Sequence, residues 1–314
     1  MNQVDELRLE IDLPLEGTFH PLGFRLHIQT NSRDVLEAAA EAWGGTSPEF
    51  TCETIRYRVV VDRGEPSGIP RHRAQGHLYS AVSDPDNFAL MDLEQLSAGF
   101  FLSDATVRDH TALRWFYLEA IAYMLLAQRY AVPVHSACVA RRGRGVMLAG
   151  PSGAGKSTLS FACAKAGWTF VSDDCVFLVP QSEARLAIGR PGQARFRMDA
   201  PALFPELERY VARARPNGKI SVEAPMQDFA EIDTAARVTV ESLVLLEREK
   251  DVAPGLLRMD PEEAISRLLA GGPSYGAQVN AIHERTVWRL VEAPAYRMRY
   301  ENLADALHML EEIA

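Results

Sequence analysis

Gly150-Pro151-Ser152-Gly153-Ala154-Gly155-Lys156-Ser157 satisfies the pattern GxxxxGK[ST] without a gap. Glycines let the backbone turn tightly and aim consecutive N–H groups into a concavity that suits phosphate oxygens. A helix opening at Lys156 adds the positive end of its dipole. Lys156 then reaches the β- and γ-phosphates of a nucleotide such as ATP, and Ser157 offers its hydroxyl to Mg2+. Lysine is scarce in this chain: Lys156, Lys165, Lys219 and Lys250 are the four. The nucleotide-binding set read from the motif is Gly150, Ser152, Gly153, Ala154, Gly155, Lys156, Ser157 and the following Thr158.

A phosphate loop does not say what becomes of the phosphate. Asp173-Asp174 follows an apolar run, 17 residues beyond Lys156, where the end of a strand would lie beside the phosphates. One of the two carboxylates can hold Mg2+ there, and the other can accept the proton of an attacking hydroxyl. His135, 21 residues before Lys156, can orient or charge the catalytic carboxylate. Arg190 and Lys219 are candidate phosphate or acceptor contacts, because phosphoryl transfer needs positive charge that meets its transition state.

These residues need strands and helices to hold them. Val134–Ala140 and Val146–Ala149 read as strands, and Lys156–Ala166 as a helix ended by Gly167. Phe170–Val171 and Val176–Val179 read as strands flanking the paired aspartates. Val238–Leu246 is an apolar run suited to a strand buried on both faces. Helices are expected over 201–212, 261–270 and 276–291, a strand over 296–300, and a final helix capped by Asn302. Upstream, residues 7–30 read as two short strands around Gly17. A helix from Asn31 to Trp43, a strand at 57–61, a loop over 64–76 and strands near 77–82 and 88–93 follow. A long helix over 106–131 forms the hinge. The expected organisation is an N-terminal α+β domain over 1–105 and an α/β ATP-binding catalytic domain over 106–314.

Composition removes several classes. The chain has 314 residues, 47% of them hydrophobic and 24% charged, an ordinary globular balance. All of its net charge of −9 falls within residues 1–110, leaving a neutral remainder. No basic face for nucleic acid or anionic membrane is expected from that distribution. Cys52, Cys138, Cys163 and Cys175 have no CxxC or His spacing suited to zinc. The apolar stretch 113–134 carries Arg114, Glu119 and Arg129, which points to a buried helix instead of a membrane span. A cytoplasmic location is expected.

The segment Val134-His135-Ser136-Ala137, the loop Gly150–Ser157 and Phe170-Val171-Ser172-Asp173-Asp174 together resemble the catalytic domain of the HPr kinase/phosphorylase family. The resemblance covers residues 134–175. It implies a phosphoenolpyruvate-carboxykinase-like P-loop fold and ATP with Mg2+ as ligands. It further implies Asp173 as the base that deprotonates an acceptor serine, His135 as its partner, and Ser157 and Asp174 at the metal. The family carries Glu directly after the loop serine, where this chain has Thr158. Its segment beyond Asp-Asp has no counterpart in Gly189–Pro201, and the N-terminal region is unlike the family's regulatory domain. These departures set the chain apart from kinases of HPr itself. They bring it nearer to HPr-kinase-related proteins found beside peptide-modification genes. The reading is a kinase acting on a serine of a peptide or protein. A kinase of free serine or another metabolite, and an ATP-binding regulator without turnover, are the rivals. The resemblance also admits a homo-oligomer.

Overall fold

A computed structural model of the chain describes residues 11–214, 219–270 and 274–314. The expected strand residues Leu7 and Leu9, and Pro216–Gly218 of the expected turn, lie outside the described residues. The architecture is mixed α/β with three sheets, divided into two compact units after Leu126.

The first unit holds β1 (Leu15–Phe19), β2 (Leu26–Thr30), α1 (Arg33–Trp43), β3 (Ile55–Asp62), β4 (Arg71–Gln75), β5 (Leu78–Asp84), β6 (Asn87–Asp92) and β7 (Ser97–Ser103). The seven strands form one sheet in the order β1-β2-β3-β7-β6-β5-β4, with β2, β3 and β7 parallel. β3 shows the period-2 alternation of a half-buried strand: Ile55, Tyr57 and Val59 are buried, while Arg56 and Arg58 are exposed. Gly17 lies inside β1 and does not separate two strands. The expected loop over 64–76 contains β4, all of whose residues are exposed, which is why no apolar alternation marks it.

The expected long helix is broken into α2 (Asp104–Arg108), α3 (His110–Leu113), a π turn over Arg114–Leu118 and α4 (Glu119–Ala127). Ser103 and Asp109 each accept a hydrogen bond from a helical N–H, so Asp109 ends one helix and caps the next. These helices pack within the first unit instead of hinging from it. Tyr57 donates to the Leu118 carbonyl at 3.1 Å, and Leu113, Trp115, Tyr117 and Leu118 are buried. The first compact unit extends through Leu126.

On α1 and α3, His110 Nδ1 lies 2.6 Å from Glu41 and Nε2 lies 3.6 Å from Asp34. Glu37 completes the acidic surroundings, and Arg114 faces Glu41 from the other side. Burial pulls the His110 pKa down, but the two carboxylates outweigh it and leave the net shift upward. A raised histidine pKa stabilises the fold fully below about 6.5, and that contribution fades as pH rises through the folded value. Melting followed from pH 6 to pH 8.5 should therefore show a decline that His110→Gln flattens.

The second unit carries β8 (Val132–Val134), β9 (Ser136–Arg141), β10 (Arg144–Ala149), α5 (Lys156–Lys165), β11 (Thr169–Ser172), β12 (Val176–Leu178) and β13 (Leu186–Ile188). Next come β14 (Gln193–Phe196), β15 (Ala212–Ala214), β16 (Ile220–Pro225), β17 (Arg237–Arg248) and β18 (Gly255–Met259). α6 (Pro261–Ala270), α7 (Ala277–Trp288), β19 (Ala295–Tyr300) and α8 (Leu303–Glu311) complete it. At the centre of its nine-stranded sheet, β10, β17 and β19 run parallel, so their C-terminal ends share one edge. That edge is where open α/β sheets bind ligands.

Successive residues of β10 enter opposite cores. Met147 and Ala149 pack with Leu243, Leu245 and α6–α7 residues such as Ile265 and Val287. Val146 and Leu148 pack with Val244 and Leu246, α5 and α8. This two-sided burial explains the continuous apolar run of β17. The helix expected over 201–212 is absent. Pro201 and Pro205 start two short 3-10 turns, and the chain leaves them as β15. Phe204 instead joins Phe196 and Phe229 around Phe161, with ring centroids 4.9 to 5.2 Å from it and edge-on geometry. β14, β16 and β15 form a separate three-stranded sheet.

Candidate functional site

The loop Gly150–Gly155 connects the C-terminal end of β10 to the N-terminus of α5. Gly150, Gly153 and Gly155 all have positive φ. At Gly155, φ is +93° and a Cβ would stand 2.3 Å from the Tyr300 hydroxyl oxygen, so only glycine fits. Tyr300, at the end of β19, donates from its hydroxyl to the Ala154 carbonyl at 2.6 Å. Burial pushes its pKa up to about 12, so it remains a neutral donor. Sequence reading missed this residue, because an isolated tyrosine at a strand end carries no local signal. Tyr300→Phe leaves the buried Ala154 carbonyl without that donor, a cost of about 1–2 kcal/mol. The expected result is a melting temperature lower by a few degrees and weaker nucleotide affinity, read by calorimetry and fluorescent-nucleotide titration.

Lys156 is only 6% exposed, and its ammonium donates to the carbonyls of Gly150 and Pro151 at 2.7 and 3.2 Å. Burial lowers its pKa; Asp174 opposes that shift, and Arg197 and Lys219 add to it. Arg197 donates to the Ser152 hydroxyl at 2.8 Å, and Lys219 reaches the same oxygen at 3.4 Å. Three cations thus converge on the entrance of the loop, each hydrogen-bonded to a loop oxygen. Arg190 lies close enough to Cys175, the neighbour of Asp174, to oppose the rise of that thiol's pKa, and with the Gln193 amide oxygen turned towards the arginines its Nη2 donates to that oxygen at 2.7 Å. Arg197, which the sequence reading did not single out, is a further arginine at the loop.

Asp173 and Asp174 occupy the turn between β11 and β12. β12 pairs with β8, setting Val176 opposite Val134, while β11 pairs with β9. That register brings the turn beside His135, which sits at the bend dividing the single strand expected there. His135 Nδ1 lies 2.9 Å from the Asp174 carbonyl oxygen and 3.4 Å from its carboxylate. The resemblance pairs this histidine with Asp173, the residue before Asp174 in the same turn. Asp173 is 5% exposed, and its Oδ2 accepts the backbone N–H of Arg195 at 2.9 Å. Its carbonyl oxygen accepts the Ser157 hydroxyl at 3.3 Å. Arg195 is in turn held by Glu223 across β14–β16 at 2.9 Å. The motif hydroxyl, both carboxylates and the histidine therefore form one cluster beside the cation group.

The donor set suits a magnesium-bound nucleotide: a hydroxyl and a carboxylate for a hard cation, and N–H groups with ammonium and guanidinium for phosphates. A cavity of about 1240 Å³ opens from Gly150–Ser152 and His135 towards α6 and α7, with Lys219 at its rim. A second cavity, of about 320 Å³, lies at Gly155 and Thr158 and is also lined by Arg248, Tyr300, Asn302 and Leu303. The four cysteines are free, and burial raises the thiols of Cys138 and Cys175 to about 12. Among the described residues no helix is long and apolar enough to cross a membrane.

The family described as SynChlorMet cassette protein ScmC matches residues 102–198, which is less than a third of the chain. That span includes His135, the phosphate loop and Asp173-Asp174. No curated protein matches. Among solved structures, the Hpr(Ser) kinase/phosphatase from Coxiella burnetii is similar at 12% identity over 57% of this chain and 90% of that one, with a TM-score of 0.30. Those values are too low to carry fold or activity across.

Proposed function

We propose that this chain is an ATP-dependent kinase that transfers the γ-phosphate to a hydroxyl, a serine of a peptide or protein. The observation that carries this reading is the meeting of the Lys156–Arg197–Lys219 cation group with the Asp173–Asp174–His135 cluster at one sheet edge. A loop that only held magnesium and nucleotide would need the cations and one carboxylate, and not a second carboxylate fixed beside it.

In this reading the N–H groups of the loop and α5 hold the phosphates, and Lys156 exchanges its loop carbonyls for β- and γ-oxygens. Ser157 and Asp174 would hold Mg2+, which when bound would supply positive charge against the charge that develops on the phosphates. His135 holds the Asp173–Asp174 turn through Asp174. Asp173, fixed by the Arg195 N–H, takes the proton of the acceptor hydroxyl. The hydroxyl oxygen forms a bond to the γ-phosphorus as the bond to the bridging oxygen breaks, and ADP leaves. Lys156 and Arg197 meet the charge that spreads over the transferring group.

The test is incubation of the purified protein with radiolabelled ATP, magnesium and a degenerate peptide library with a fixed central serine. Free L-serine is run in parallel, and ATP binding is measured separately. Label in peptides supports the reading; label only in free serine selects a metabolite kinase. Tight ATP binding with no transfer across both probes would leave a regulator.

A further inference from the structure

The two cavities flank the loop on opposite faces of the central sheet, and their linings differ in chemistry. The small one shares its face with α5 and α8 and touches the exit of the loop, at Gly155 and Thr158. The large one lies on the α6–α7 face and touches the entrance, at Gly150–Ser152. Lys156 fixes the polarity between them. Its ammonium rests on the Gly150 and Pro151 carbonyls, so the β- and γ-phosphates it serves belong at the entrance. The nucleoside then leaves by the exit, into the small cavity beside Arg248 and Tyr300. The large cavity is left for the acceptor; His135, which contacts Asp174 in the turn that carries Asp173, stands in its lining.

We infer that this large groove is a peptide site, taking a serine-bearing segment whose neighbouring side chains are apolar; the inference rests on the kinase reading above. Two observations carry it. The volume of about 1240 Å³ exceeds the 300–1000 Å³ typical of small-molecule pockets and far exceeds what free serine needs. The walls away from the loop are aliphatic: Val132, Val134, Leu245, Leu268, Leu269 and Val287. Charged groups share the lining: Arg267 is paired with Glu247 and Glu263, and Lys219 and Glu284 also line the cavity. Apolar side chains spaced along an extended segment would fill the α6–α7 wall while the serine sits at His135.

The degenerate serine library tests this directly. Wild type is expected to select Leu, Ile, Val or Phe over Asp or Glu near the serine by about tenfold or more, the scale at which apolar pockets discriminate. Leu269→Glu should raise KM for the selected peptide by about tenfold and redirect selection towards Lys or Arg at one position. Its affinity for a fluorescent ATP analogue should stay within about twofold of wild type, which also reports on folding. If Leu269→Glu does not fold, Leu269→Gln and Leu268→Gln carry the same comparison without the charge-directed arm. Phosphorylation without flank selection, or selection unaltered in folded variants at both leucines, overturns the groove assignment and leaves the kinase reading intact. Transfer to free serine alone overturns both the groove and the peptide part of that reading. Failure of wild type to bind the analogue or to transfer phosphate to either probe removes the kinase reading itself.

Discussion

Lys156→Ala should lower phosphate transfer by roughly 10³-fold and weaken ATP binding at least about tenfold, the size of effect seen when a preorganised charge donor is removed from a site. The side chain is 6% exposed and hydrogen-bonded to two loop carbonyls, so its position is set before any nucleotide arrives. Little is lost in ordering it when phosphate replaces those carbonyls. Lys156→Arg should not rescue the loss, because a buried ammonium seat 2.7 Å from Gly150 O does not admit a planar guanidinium in the same geometry. Radiometric kcat/KM and nucleotide titration separate the two effects. Transfer within about tenfold of wild type would remove Lys156 from the role assigned to it.

Asp173→Asn should separate chemistry from binding. The amide oxygen of asparagine can still accept the Arg195 N–H that Asp173 Oδ2 accepts at 2.9 Å, so the turn keeps its shape. The basic carboxylate is gone, and transfer should fall by about 10²- to 10⁴-fold, the contribution of a positioned general base. ATP affinity should change little, and the acidic limb of the pH–rate profile should disappear. Asp174→Asn is the contrasting variant: its side chain faces His135 and couples to Lys156, so its loss should raise the magnesium requirement. Full transfer in Asp173→Asn, with Asp174→Asn abolishing the acidic limb, would assign the base to Asp174.

The parts of the site that are local in sequence were legible before any coordinates. The phosphate loop is eight consecutive residues whose glycines have one physical reason to be there, and the strand and helix on either side follow from it. Gly167 adopts φ +84°, as a helix-ending residue should. The run 238–246 lies in a doubly buried strand because both of its faces are covered by helices. What the sequence hid depends on pairing across long separations. β14, β15 and β16 are short and partly polar, so nothing marked them as a sheet. With that sheet unseen, the Arg195 N–H on Asp173 and the Arg197 contact with Ser152, 22 and 45 residues apart, could not be foreseen. The helix expected at 201–212 failed for a related reason. Its apolar residues suit a helix, but Phe204 is drawn into the rings around Phe161, and two prolines interrupt the backbone. In the first unit, Asp109 at the junction of α2 and α3 and the π turn at Arg114–Leu118 divide what periodicity alone reads as one helix.

The three-stranded sheet bears on how activity is inherited among related chains. β14 supplies the amide that fixes Asp173, Arg197 follows β14, and Lys219 immediately precedes β16. None of the three belongs to the phosphate-loop signature. On the proposed kinase reading, a relative that kept Gly150–Ser157 letter for letter but drifted in this small sheet would retain nucleotide and lose its grip on the transferred phosphate. Divergence between transferring and merely binding members should be sought in residues 193–225, and shared loop motifs overstate shared chemistry where that sheet differs.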